Sequence, residues 1–240
     1  MIFRILQYLP VTLSLYGDYA NAAALSRMIT AEGGQVELVR SETYPDGEFD
    51  AMFIGSGTEK NSFYALDALA RDRGRIEEQL GNGIVFATGN SWELFGKTID
   101  DAVLGKREGL GFFDFSVKRD YSVRIVTDVI SDFAPTGEKS AGFINGCSAV
   151  SRTAAPMFIN CLCADHERES DGIISGGFYG TSFTGPVLIR NPHILRWIAD
   201  SIYERKGFVP ENRFTDEIQS KALAVTLREL EKRLKNSKKS

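Results

Sequence analysis

The stretch VFATGNSWELFG, Val85 to Gly96, sets a small polar turn between an apolar strand and the amphipathic start of a helix. Elbows of this kind usually present a nucleophile, because a sharp turn at the carboxyl edge of a sheet holds one side chain clear of the backbone. This one contains no cysteine. Its polar groups are Thr88, Asn90, Ser91 and Glu93, with Gly89 at the bend. A hydroxyl at Thr88 or Ser91 attacks a carbonyl only when a base takes its proton. Ser91 reads first as a helix N-cap that accepts a hydrogen bond from a free N–H. Glu93 and Trp92 fall on the first turn of the expected helix, where the dipole favours a carboxylate.

Other residues with chemical potential are sparse. Cys147, in INGCS, reads either as a small buried hydrophobe or as a displaced nucleophile. Cys161 and Cys163 alternate on a strand, which puts both sulfurs on one face; metal binding there needs more ligands, and His166 is the one nearby histidine. The run Asp165 to Asp171 is a charged loop, solvated or able to hold a cation. His193 follows Asn191-Pro192 and reads as a surface or capping residue. With two histidines in the chain, a histidine-rich metal centre is hard to assemble, and neither a metal nor a cofactor is expected.

These groups need a scaffold, and 240 residues with 43% hydrophobic and 25% charged content supply one of ordinary globular type. A formal charge of −4 offers no basic field for a nucleic-acid backbone. Three bunched cysteines make no disulfide framework, and the opening MIFRILQYLP is too short for a signal or a span; the reading is a cytoplasmic protein with no membrane association.

Strands are expected at Ile2 to Leu9, Val36 to Val39, Ala51 to Ile54 and in the elbow stretch. They alternate with a helix carrying Ala22, Leu25, Met28 and Ile29 and one long helix from about Asn61 to Leu80. That alternation predicts a mostly parallel sheet with helices on both faces. Ligands bind such sheets beyond the carboxyl ends of the strands, so Gly55-Ser56-Gly57 and Thr88-Gly89-Asn90 are expected to wall one crevice. From Gly109 to Gly185 short β runs (Phe112 to Val117, Ser122 to Ile130, Ala141 to Ile144, Met157 to Leu162, Gly177 to Thr181) predict an antiparallel extension. A helix then starts at Asn191-Pro192. A final helix carries Leu223, Leu227, Leu230 and Leu234, followed by a basic tail with Lys238 and Lys239. Its stripe can dock on the body, on a partner or on a second copy. The division expected is a domain of residues 1–208 and a C-terminal amphipathic helix with its tail, 209–240.

Six stretches, in order, resemble the class I (triad) glutamine amidotransferases, in the branch of cobyric acid synthase and the glutaminase subunit of lipid II isoglutaminyl synthase. They are LYGDYANAAAL (Leu15 to Leu25), FDAMFIGSGTEK (Phe49 to Lys60), VFATGNSWELFG, RIVTDVI (Arg124 to Ile130), GFIN (Gly142 to Asn145) and YGTSFTGPVLIRNP (Tyr179 to Pro192). The resemblance implies a flavodoxin-like fold and an activity in which cysteine attacks the glutamine side-chain amide, histidine handles the proton, and ammonia passes to a synthetase. It also implies a substrate-binding role for Arg124; the residue alone reads as a carboxylate fork or as a salt bridge at a sheet edge.

In the same register Gly89 stands at the family's nucleophile, Thr184 at its catalytic histidine, Gly146 at the histidine of GFENH, Glu93 at a glutamine and Trp92 at a tyrosine. Glycine supplies neither nucleophile nor base, and loss of such a pair costs about 10⁴ to 10⁶ in rate. Two readings follow. In one, the chain no longer hydrolyses glutamine and serves as a binding or regulatory subunit of an ATP-dependent, Mur-ligase-like synthetase, with glutamine or another small polar ligand in a crevice of Gly55, Ser56, Gly57, Thr88, Asn90, Ser91, Glu93 and Arg124. In the other, an active amidotransferase or hydrolase uses Cys147, Ser91 or Thr88.

Overall fold

Apolar runs of four to seven residues, too short for helices, pair into the central sheet because strands buried on both faces read as continuous hydrophobic stretches. The computed structural model describes residues 1–163 and 168–237. Asp165, His166 and Glu167 of the predicted charged loop, and Lys238 and Lys239, lie outside the described residues. In chain order the first half comprises β1 (Ile2–Tyr8), α1 (Tyr19–Ala31), β2 (Gln35–Ser41), β3 (Ala51–Ile54), α2 (Glu59–Arg71), α3 (Arg73–Asn82) and β4 (Ile84–Thr88). After the elbow come β5 (Thr98–Asp101), β6 (Gly105–Glu108), β7 (Ser116–Arg119), β8 (Ile125–Phe133), β9 (Lys139–Gly146), β10 (Ser148–Val150) and β11 (Phe158–Cys163). The chain continues through β12 (Ser170–Asp171), β13 (Ile173–Ser175), β14 (Phe178–Thr181), α4 (Val187–Arg190), α5 (Pro192–Lys206) and α6 (Glu217–Ser237).

The central sheet has the order β13-β14-β4-β3-β1-β2, parallel except for β13 at one edge. Successive side chains feed opposite cores, as the two-residue period requires. Phe3, Ile5, Phe53 and Phe86 pack with α1 and α5, while Leu6, Met52, Val85 and Ala87 pack with Leu66, Leu69 and Ile76 of α2 and α3. The mostly parallel sheet covered on both faces is as expected.

Three expectations change. The single helix over Asn61 to Leu80 is two, broken at Asp72 (φ −95°, ψ 14°), whose carboxylate accepts a 2.6 Å hydrogen bond from Tyr8 Oη. Aspartate favours such junctions over helix interiors, and the bond to β1 fixes where the break falls. The extension is two four-stranded sheets, β10-β7-β5-β6 and β12-β11-β8-β9; the first contains a parallel pair, β5 with β7. The β5–β6 hairpin was not expected because β6, GKRE, has no apolar face to read.

The C-terminal stripe docks on the body. Leu230 and Leu234 are buried against Ile130 of β8 and Ala141 of β9, with Leu223 and Leu227 half-buried beside them. Among the described residues no helix is long and apolar enough to cross a membrane.

Candidate functional site

At the carboxyl edge of the central sheet, β4 turns at Gly89 with φ +57°. That left-handed conformation suits glycine, since any Cβ crowds the following carbonyl. The turn Gly89–Phe95 is a 3₁₀ segment instead of the α-helix expected, and Ser91 to Phe95 are all buried within it. Ser91 is no N-cap acceptor. Its Oγ lies 2.8 Å from the Thr88 carbonyl and 3.1 Å from that of Ile54, so the hydroxyl is spent as a donor tying the elbow to β3. Thr88 is buried, with Oγ1 3.5 Å from the same Ile54 carbonyl.

The two predicted walls meet, but they close on each other. Gly57 N–H donates to Asn90 Oδ1 at 3.1 Å and Asn90 Nδ2 donates to the Gly57 carbonyl at 2.8 Å. Beneath them Ser56 occupies the space into which a side chain at position 89 would project. A methyl group on residue 89 would overlap Ser56 Oγ and stand 2.8 Å from Ser56 Cβ and 3.2 Å from Thr184 Cγ2. Thr184 itself is buried and donates to the Phe143 carbonyl at 3.1 Å. The gap left around Gly89, Asn90, Glu59, Asn145 and Ser182 measures about 30 Å³. That is room for a water or two, since one water occupies roughly 10–15 Å³ on a comparable measure.

Ser56 is anchored from below. Its N–H donates to Asp18 Oδ2 at 2.5 Å, and both Asp18 Oδ1 and Ser56 Oγ are buried without a hydrogen-bond partner. Burial pushes the Asp18 carboxyl up to about 6, against the hydrogen bonding from Ser56. Asp18 and Asn21 belong to the LYGDYAN stretch, and their work is architectural. Asn21 bridges the Gly185 carbonyl (3.1 Å) and the Leu188 N–H (2.9 Å), stitching α1 to the segment that carries Thr184.

Glu93 does not owe its place to a helix dipole. Its Oε2 accepts from Arg119 Nε and Nη2 at 2.9 and 2.8 Å, in a pair almost wholly buried, and Arg119 Nη1 donates to Ser62 Oγ at 2.9 Å. Burial raises the Glu93 carboxyl above the usual carboxylate range while Arg119 pulls it back. The guanidinium, which burial alone would lower, is held charged chiefly by Glu93. Arg119 carried no signal in the sequence, since its partner lies in a different local pattern 26 residues away.

Arg124 sits at the rim just before β8. It is half-exposed, with Nη1 3.1 Å from Glu59 Oε1 and Nε 2.8 Å from Asn145 Oδ1. Cys147 is buried between β9 and β10, with Sγ 3.6 Å from the same Glu59 oxygen. Burial and then the Glu59 charge push its thiol up to about 11, so it stays protonated near neutral pH. His193 is not the surface or capping residue expected. It is half-buried in the first turn of α5, packed against β9, with Nε2 2.9 Å from Ser140 Oγ and its ring edge-on to Phe133, 6.1 Å between centroids. Trp92 Nε1 donates to Ser182 Oγ at 3.3 Å, and Phe183 stacks on Phe158 (4.3 Å between centroids) above Gly142, where a side chain would collide with its ring.

This arrangement is the class I glutamine amidotransferase fold, with the elbow at the end of β4 and the segment after β14 meeting it. Two solved structures carry the likeness: a glutamine amidotransferase matched at TM-score 0.51 and 17% identity over 84% of this chain and 98% of that one, and a glutamine amidotransferase from Thermotoga maritima at TM-score 0.50 and 14% identity over 98% and 94%. More particularly, the chain is similar to the GatD subunit of glutamine-hydrolysing lipid II isoglutaminyl synthase. It is 25% identical to that of Staphylococcus aureus (strain N315) over 89% of this chain and 90% of the relative. To that of Streptococcus pneumoniae (strain ATCC BAA-255 / R6) it is 22% identical over 81% and 78%. No protein-family model matches the chain.

Proposed function

We propose that the chain is a glutaminase-type subunit that does not hydrolyse glutamine and acts as the binding or regulatory partner of an ATP-dependent, Mur-ligase-like enzyme, in lipid II amidation. The relatives of this kind are subunits of a synthase, and the likeness runs over most of both chains. The single observation that carries the loss of hydrolysis is the filled elbow. Gly89 has no nucleophile, and Ser56 stands in the space a nucleophile would need. With about 30 Å³ beside it, the elbow has no room for a glutamine side chain. Retaining the scaffold while the reactive space is filled is what a binding role requires. The body of residues 1–208 would carry the family surface, with 209–240 as an added element, in the cytoplasm.

The competing reading, a hydrolase with a relocated nucleophile, has its best support in Cys147, which lies beside the crevice with Glu59 as the adjacent carboxylate. Against it stands a thiol pushed up to about 11 by burial and Glu59. Against Ser91 and Thr88 stands the contact of both hydroxyls with the Ile54 carbonyl.

The test is glutamate release from glutamine by the purified chain, alone and with whatever ligase co-purifies with it from the native cell. No turnover is expected in either case. A rate near ordinary enzyme values, about 1 per second or faster, overturns the proposal. If that turnover disappears in Cys147→Ala, the relocated nucleophile is the correct reading.

A further inference from the structure

Next to the closed elbow lies a larger cavity of about 280 Å³. It adjoins the elbow gap through Ile125, Ile144, Ser148, Arg168 and Ser182, which line both. At about 280 Å³ it falls just short of the range of drug-sized ligand pockets, about 300–1,000 Å³, which leaves room for a molecule the size of an amino acid where the elbow has none. Trp92, Ile125 and Ile144 give it an apolar wall, and its polar lining is made of hydroxyls, two guanidinium groups and one carboxylate.

The charges on the wall do not cancel. Among the described residues, two arginines, Arg152 and Arg168, face one aspartate, Asp171. Asp171 is already satisfied: Oδ1 pairs with Arg168, and Oδ2 accepts from Thr181 Oγ1 at 2.6 Å and Ser182 N–H at 3.0 Å. Arg168 commits one nitrogen to that pair, and a guanidinium carries five N–H donors. Arg152 makes no ion pair or hydrogen bond among the described residues. Ser182 Oγ accepts from Trp92, which leaves its own proton to donate. A net positive wall with spare guanidinium and hydroxyl donors stands out in a chain whose formal charge is −4. The attraction to an anion here is local and directional, and guanidinium forks match carboxylate and phosphate oxygens.

We propose that the cavity lined by Trp92, Ser148, Arg152, Arg168 and Ser182 binds a small molecule through its carboxylate or phosphate group, with Arg152 as the free fork. Occupancy presses on Trp92 and Ser182, which adjoin the elbow. The site needs neither glutamine turnover nor a ligase partner, so it stands or falls separately from the function proposed above.

Calorimetric titration of the full chain at fixed ionic strength tests it, with inorganic phosphate and L-glutamate as separate probes. Arg152 is exposed and unpaired, so its variants should keep the wild-type melting temperature. Saturable binding of at least one probe is expected, weakened about tenfold or more by Arg152→Gln, abolished by Arg152→Glu and partly kept by Arg152→Lys. Binding of phosphate alone assigns a phosphoryl ligand and binding of glutamate alone a carboxylate, and either supports the site. No saturable binding of either probe up to about 10 mM, a very weak affinity, overturns it, as does binding that Arg152→Glu leaves unchanged.

Discussion

Replacing Gly89 by alanine puts a number on the closure of the elbow. At φ +57° a Cβ costs about 1–2 kcal/mol from backbone crowding alone. The same methyl overlaps Ser56 Oγ and lies 2.8 Å from Ser56 Cβ, which is overpacking of the kind that costs about 1–3 kcal/mol. Gly89→Ala should therefore destabilise the fold by about 2–5 kcal/mol. Ser56→Gly should relieve the second part but not the first. Its hydroxyl is buried with no well-formed hydrogen bond, so removing it forfeits at most its interaction with the Asp18 carboxyl, while the N–H to Asp18 remains. Urea unfolding of both single variants and the double variant should give a favourable coupling of about 1–3 kcal/mol, well above the few tenths expected of independent sites. The same logic extends to chemistry. Gly89→Cys with Thr184→His should stay inactive as a glutaminase, and adding Ser56→Gly is the change that gives the sulfur somewhere to go. A neutral Gly89→Ala, or additive effects within about 0.5 kcal/mol, would refute the claim that Ser56 fills the nucleophile's space.

Three further outcomes follow from the buried charges. Asp18 has a folded-state value of about 6, raised above its unfolded value near 4, so its contribution is fully present below pH about 4 and is lost as pH rises through 6. Urea unfolding between pH 4 and 7 should show that decline, about 2–3 kcal/mol at most, and Asp18→Asn should remove it. Arg119→Met leaves the buried Glu93 and Asp101 carboxylates without their shared guanidinium and should cost about 3–5 kcal/mol, whereas Arg119→Met with Glu93→Leu should recover the part owed to Glu93 in the same unfolding assay. Cys147, with its thiol near 11, should alkylate with iodoacetamide at pH 8 about a hundredfold more slowly than a free cysteine, read by mass spectrometry; Glu59→Gln, which removes the adjacent charge, should speed it.

Much of the scaffold was legible in the chain because its signals are local. Apolar runs at Ala51 to Ile54 and Ile84 to Thr88 bury both faces, and the glycine stop at Gly33 and the proline start at Pro192 punctuate helices wherever they occur. Glycine at position 89 likewise declared an elbow without a nucleophilic side chain and a tolerance for the left-handed turn. The leucine spacing of α6 announced an amphipathic face without saying what would cover it. The polar β5–β6 hairpin gave no such signal, and the break at Asp72 depends on a hydroxyl from Tyr8, 64 residues away.

The contents of the site were decided by contacts that no local pattern encodes. Ser56 looked like one wall of an open crevice; the tertiary structure turns it into the plug, through Asp18 below and the Asn90–Gly57 pairing above. Glu93 looked like a dipole-stabilised carboxylate until β7 delivered Arg119 to it. The sequence alone thus determined which chemical groups are absent, because absence is a property of composition at a position. Whether the vacated space is empty, filled or displaced into a neighbouring cavity depends on which distant side chains the packing brings within van der Waals reach, and only the folded chain sets that.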